Sequence, residues 1–260
     1  MKIVKQYYGW EWKPEPEIAL KRIERAARTC YKTENMMDVS PEQSDEFLSR
    51  IMGRGHLSVI EHSDASVRFI TNRGVTHELV RHRIAAYSQE STRYCNYSND
   101  KFDNQLTFVR PSTWSEYSEE CRKLWMDAIE QDEERYLQLV LIGLSPQQAR
   151  GILPNDLKTE IVMSANFREW NHVFNLRCSK GAHPDIRNLM LPLLKEFAIL
   201  YPPIFDTVAW KYKCGGKPPK AKKKKYTIEQ IKRALSSFDD GFYNLPTIKL
   251  LADKIKEQSK

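Results

Sequence analysis

The sequence predicts a mixed α/β (α+β) fold, and three observations carry that expectation. Segments with apolar residues at helical spacing interleave with shorter segments in which apolar and polar residues alternate. A hydrophobic content of 41% and an aromatic content of 11% over 260 residues supply a sizeable core. Proline and glycine punctuation separates the segments, and no internal repeat joins them.

Met1–Trp12 reads as an opening strand, closed by a proline step at Pro14 and Pro16. Glu17–Tyr31 places Ile18, Ala19, Ile23, Ala26 and Ala27 at helical spacing and reads as an amphipathic helix. A second helix begins after Ser40, where Ser40-Pro41-Glu42-Gln43 supplies an N-cap, a proline at the first position and a capping-box partner. It ends near Gly53 or Gly55. Ala65–Thr71 alternates like a half-buried strand, and Gly74–Arg83 reads as a helix delivering Arg81-His82-Arg83 at its end.

Leu106–Val109 is a short strand stopped by Pro111. Ser115–Leu141 holds a long helix whose Trp125 and Tyr136 are expected in the core or at a subunit contact. Ser145-Pro146-Gln147-Gln148 caps another helix, which carries Arg150. Thr159–Ala165 reads as a strand, and Phe167–Asn175 and Pro184–Leu200 as helices, with Tyr201-Pro202-Pro203 ending the helical run.

The net charge of +7 is a local property: Lys217–Lys225 holds six lysines and no acid, which leaves the remainder at +1. This run divides the chain into a main domain over 1–213, a Lys/Pro-rich linker over 214–225, and a small helical extension over 226–260. The five cysteines are scattered, odd in number and without a CxxC pair, which argues against a disulfide framework or a zinc knuckle. The opening residues lack a signal-peptide apolar region, and the longest apolar run is too short to span a bilayer, so no membrane partner and a cytoplasmic location are expected.

The richest chemistry lies in Arg81–Tyr94, RHRIAAYSQESTRY. Were its second half extended, Gln89, Ser91 and Arg93 would share one face and Glu90, Thr92 and Tyr94 the other. A strand polar on both faces has nothing to pack, whereas arginine forks and hydroxyls suit a phosphate or another planar anion. Three further groups concentrate reactive side chains: Gly55-His56-Leu57-Ser58-Val59-Ile60-Glu61-His62, Ala149-Arg150-Gly151-Ile152-Leu153-Pro154, and Asn166 through Arg177. In the last, helical spacing puts Arg168, His172 and Asn175 on one face.

Arg81-His82-Arg83, seven residues and Ser91 resemble the signature of flavin-dependent thymidylate synthases, and the GHxSxxEH, ARxxLP and NxRxWxHxxNLR elements occur in that family's order. The resemblance covers Met1 to about Trp210. It implies a mixed sheet with flanking helices and active sites at the subunit interfaces of a homotetramer. It further implies dTMP synthesis from dUMP, with methylenetetrahydrofolate as carbon donor and noncovalent FAD reduced by NADPH.

Carried over residue by residue, it assigns Ser58, Arg81, His82, Arg83, Gln89, Asn166, Arg168 and His172 to FAD, with His56 beside the flavin ring as a catalytic residue. It assigns Glu78, Leu79, Val80, Arg81, Gln89, Glu90, Ser91, Thr92, Arg93, Arg150 and Arg177 to dUMP. Arg177 is the catalytic group that polarises the pyrimidine. Glu90 stands where relatives are often apolar, adding an acid near the phosphate, and His172 stands where some members have Asn.

Other readings compete with some of these assignments. Ser91 is expected to bind phosphate rather than attack, and Cys178, outside any Pro-Cys-His setting, to pack. His77 and His82 lie about 140° apart on a helix, unlike a zinc-binding i, i+4 pair, so no metal is expected. No GxGxxG follows a strand, so neither FAD nor NADPH is expected on a Rossmann site. The non-catalytic alternative is a nucleotide- or nucleic-acid-binding protein working through the lysine-rich tail.

Overall fold

The longest strand pair organises the molecule. In the computed structural model, which describes residues 1–37 and 39–219, strand β3 (Asp64–Asn72) pairs antiparallel with β6 (Lys158–Asn166) along its whole length, from Asp64 opposite Asn166 to Asn72 opposite Lys158. β2 (Tyr7–Trp12) and β4 (Ala85–Gln89) flank this pair, giving the order β2-β3-β6-β4. Alternation sets the faces: Thr159, Ile161, Met163 and Ala165 of β6 are buried, as are Ala65, Val67 and Phe69 of β3.

Against the sheet lies a helical layer built from α1 (Pro16–Tyr31), α2 (Pro41–Arg54), α6 (Phe167–Arg177), α7 (Pro184–Leu200) and α8 (Pro202–Lys211). Its centre is aromatic: Phe167 meets Tyr201 at 4.6 Å between centroids, and Phe197 meets Phe205 at 4.9 Å. A second cluster holds Leu106, Phe108, Ile129, Tyr136, Ala149 and Leu157 beneath the long α4 (Glu119–Leu141). Tyr136 is fully buried there and Trp125 packs on it partly exposed, as expected of that helix.

The structure corrects the expected elements at several points. The opening segment is two strands, with β1 (Lys2–Val4) pairing parallel with β5 (Thr107–Val109) in a separate sheet. Gln6 marks the break: its amide donates to the Asp185 carbonyl and accepts from the Thr71 hydroxyl. The helix expected over 74–83 is α3 (Arg73–Leu79), capped by the Asn72 side chain. It stops early because the His82 N–H turns back to the Leu79 carbonyl at 3.0 Å and the Tyr87 hydroxyl shares its proton between the Leu79 and His82 carbonyls, so Arg81-His82-Arg83 lies in the following loop.

Pro202 and Pro203 open α8 rather than ending the helical run, since proline is tolerated in a first helical turn. Met1–Pro219 forms one compact unit. Gly216, at φ +71°, sits so close to the Asp206 carbonyl that a side-chain carbon there would lie 2.1 Å from the oxygen. The rest of the lysine run and the helical patterns at 226–260, with the nucleic-acid contact expected of them, lie outside the described residues. Among the described residues no helix is long and apolar enough to cross a membrane.

Candidate active site

A cleft of about 540 Å³ opens between the ends of α1 and α2, the 3₁₀ turn Leu57–His62 and the first turn of α6. The capping box on Ser40 starts α2, and Gly55, left-handed at φ 79°, ends it. That reversal carries His56 and Ser58 into the cleft lining beside Tyr31 and Arg168. His56 Nδ1 lies 2.9 Å from the Tyr31 hydroxyl, with the two rings stacked at 6.3 Å. Arg168 pairs with Glu61 at 2.5 Å, an open pair of small energetic worth. Three expected flavin residues therefore do come together here.

Helix α6 supplies a second group. Asn166 caps the helix, its side-chain oxygen accepting from the Glu169 N–H at 2.9 Å. Arg177, in the last turn, donates through Nε to His82 Nε2 (3.0 Å), through Nη1 to Glu78 Oε2 (2.5 Å) and through Nη2 to the Glu78 carbonyl (2.8 Å). Three of its five N–H donors are thus committed to groups that α3 and the following loop hold in place, and two are left.

His82 is 3% exposed, and burial, then Arg177 and His172, push its pKa down to about 4, so the ring is neutral near pH 7. The donor atoms of His82, Glu169 and His172 lie within 4.8 Å of one another. Since His82 Nε2 already accepts from Arg177, a cation there would face the guanidinium.

The third group is the turn after β4. The extended run ends with Glu90, whose N–H still bonds the Glu160 carbonyl at 2.9 Å. Ser91–Arg93 then turns, with the N–H groups of Tyr94 and Cys95 donating to the Ser91 carbonyl. The alternating faces expected for Gln89–Tyr94 are therefore absent: the backbone is a turn, and its side chains fan out. Thr92 is buried and its hydroxyl accepts from Arg150 Nη1 at 3.2 Å, which docks the 3₁₀ turn Arg150–Ile152 onto Ser91–Arg93. Gln89 donates to the hydroxyls of Thr76 (3.0 Å) and Thr159 (3.3 Å).

Glu90 does not add a free acid to this turn. Its carboxylate accepts from the Tyr97 hydroxyl at 2.9 Å and from Lys158 at 3.2 Å. Arg81, Arg83, Arg93 and Arg150, by contrast, are exposed and have no carboxylate partner among the described residues.

The Leu79 side chain is fully buried and its carbonyl accepts from Tyr87. Val80 remains exposed. Cys178 is 1% exposed, and burial first, then Cys214, pushes its thiol up to about 12, so it packs as expected. Reading the sequence alone misses Lys158, Thr159 and Tyr31, whose partners lie 68, 70 and 25 positions away, and also Thr76 and Tyr97, which lie nearer theirs. Glu169 stood inside a quoted motif, three residues before His172, and that spacing was the available signal.

Comparison with known proteins decides the family. The model of the thymidylate synthase complementing protein family (Thy1) matches residues 16–203, most of the chain. The chain belongs to that family. A flavin-dependent thymidylate synthase of Geobacter sulfurreducens is 36% identical over 197 residues, covering 74% of this chain and 82% of the relative. Those of Corynebacterium glutamicum and Pyrococcus furiosus are 31% identical over 212 residues and 34% over 169, covering 75% and 65% of this chain and 82% and 68% of the relatives. Every element of the Thy1 signature falls inside the matched span, and the three groups above are built from it.

Proposed function

We propose that this chain makes dTMP from dUMP by reductive methylation, taking carbon from methylenetetrahydrofolate and using FAD that NADPH reduces. The observation that carries the reading is the contrast within one family site: around Ser91, arginines without counter-ions among the described residues, and on α6 Arg177 held by His82 and Glu78. Arg93 and Arg150 would grip the dUMP phosphate bidentately, with Ser91 adding a hydrogen bond. Arg177 remains charged and stabilises electron density that grows in the pyrimidine.

The residues fit a flavin. The cleft with Tyr31, His56 and Leu57 offers flat and apolar contacts, with the Arg168 cation at its edge. Arg81 and Arg83, exposed and without a carboxylate partner among the described residues, suit the phosphates, and no Rossmann element is required. Bound there noncovalently, FAD supplies hydride transfer. The protein's own share is orientation and electrostatics: Tyr31 fixes the His56 ring, and the buried, protonated Cys178 offers no thiolate to attack the pyrimidine.

Exposed apolar residues near these groups, Val80 (41%), Ile84 (71%), Tyr94 (79%) and Leu176 (47%), suit a homotetramer in which another subunit covers the site. Five free cysteines suit the reducing cytoplasm.

The test is spectroscopic and catalytic. The purified protein should be yellow, release FAD on heat or acid, bleach with NADPH, and form dTMP only when dUMP and methylenetetrahydrofolate are both present. A colourless protein that FAD cannot reconstitute would overturn the reading.

A further inference from the structure

Arg177 cannot give up its proton, so the nitrogen it donates to must carry a lone pair. That nitrogen is His82 Nε2, at 3.0 Å. A neutral imidazole holds one proton, which must then sit on Nδ1. In a ring 3% exposed, that N–H needs an acceptor, and Glu169 Oε1 lies 3.4 Å from Nδ1 with Glu169 itself 6% exposed.

We infer that Glu169 is a positioning residue, whose carboxylate holds the His82 proton on Nδ1 and so leaves Nε2 to fix the guanidinium of Arg177. The contact is long for a hydrogen bond and acts chiefly through the charge on the carboxylate. The other groups around the ring fit this assignment. Tyr87 pins the His82 carbonyl at 2.8 Å, His172 meets the ring edge-on at 5.6 Å, and Glu78 receives the far side of Arg177. The Asn166 cap holds the Glu169 backbone, and from the Glu169 carboxylate the contacts run on through His82 and Arg177 to Glu78.

The effect on turnover rests on the function proposed above, whereas the tautomer does not. The experiment is ¹⁵N NMR of the holoenzyme labelled at histidine, with His82 assigned by its loss in His82→Asn, alongside kcat and KM for dUMP. Wild type should show protonated Nδ1 and bare Nε2. Glu169→Leu should mix the two tautomers and lower kcat roughly 10- to 100-fold, the scale of a misplaced catalytic group, with KM little changed. Glu169→Gln, close in shape but uncharged, should fall between wild type and the leucine variant in both tautomer and kcat, which keeps the test readable even if the leucine variant folds poorly.

A proton on Nε2 in wild type would overturn the inference, as would an unchanged tautomer and kcat in a folded Glu169→Leu. A wild type without dTMP formation, in which the tautomer still shifts as expected, would retain the inference and refute the function.

Discussion

Arg177 and the arginines around Ser91 occupy opposite electrostatic states within one candidate site. Arg177 is tied by three hydrogen bonds to His82, the Glu78 carboxylate and the Glu78 carbonyl, which holds it in place before a ligand arrives and leaves two N–H donors. Arg93 and Arg150 have no carboxylate partner among the described residues, and Arg150 spends a single donor on Thr92. On the function proposed above, the difference would separate two tasks: a cation that captures a dianionic phosphate is left without competitors, whereas one that meets charge developing in a ring is held in advance.

Breaking the held side should have the largest effect. Arg177→Ala should lower kcat for dTMP formation on the order of 10²–10³, the loss typical of one preorganised donor. Arg177→Lys keeps the charge without the planar fork and should recover only part of it. Flavin reduction by NADPH, followed separately, should continue; near-normal kcat would make Arg177 a structural arginine.

On the open side, Arg93→Gln removes a charge-assisted contact worth about 1.5–3 kcal/mol, or roughly 10- to 100-fold in KM for dUMP. The same KM should rise with ionic strength in wild type, since an exposed cation is screened, and more weakly in the variant. Equal salt sensitivity in both proteins would place the phosphate elsewhere.

A smaller effect concerns His82. Its pKa in the fold is about 4 against an ordinary 6.5, so the fold favours the neutral ring. The resulting stability is complete above pH 6.5 and is lost as pH falls from 6.5 through 4. His82→Asn should therefore lose less Tm than wild type between pH 7 and pH 5. Parallel Tm curves would contradict a buried neutral ring.

Cys178→Ala should change turnover least, because the thiol is packed against the core and protonated. Abolished turnover with FAD and dUMP binding intact would sink that view.

What the sequence disclosed follows the reach of its interactions. The Ser40 capping box, the α7 boundaries and the alternation of β6 are local, and each was readable from neighbouring residues. The end of α3 was not, because the Leu79 carbonyl accepts from Tyr87, eight residues beyond it, as well as from the His82 N–H. Proline at 202 and 203 reads equally well as a stop or a start, and packing of Ile204, Phe205 and Val208 selects the start. The family signature named most of the residues that the fold gathers, but not their states. Whether Glu90 is a free acid depends on Lys158, 68 positions away, and whether Arg177 is mobile depends on Glu78, 99 away.

The contrast between the held and the open arginines is tested most directly by the equilibrium dissociation constant for dUMP, titrated through the flavin absorbance of Arg177→Ala and Arg93→Gln. The account predicts that Arg177→Ala binds dUMP within a few-fold of wild type while Arg93→Gln weakens it roughly 10- to 100-fold. Comparable weakening in both, or a greater loss in Arg177→Ala, would contradict the division of labour.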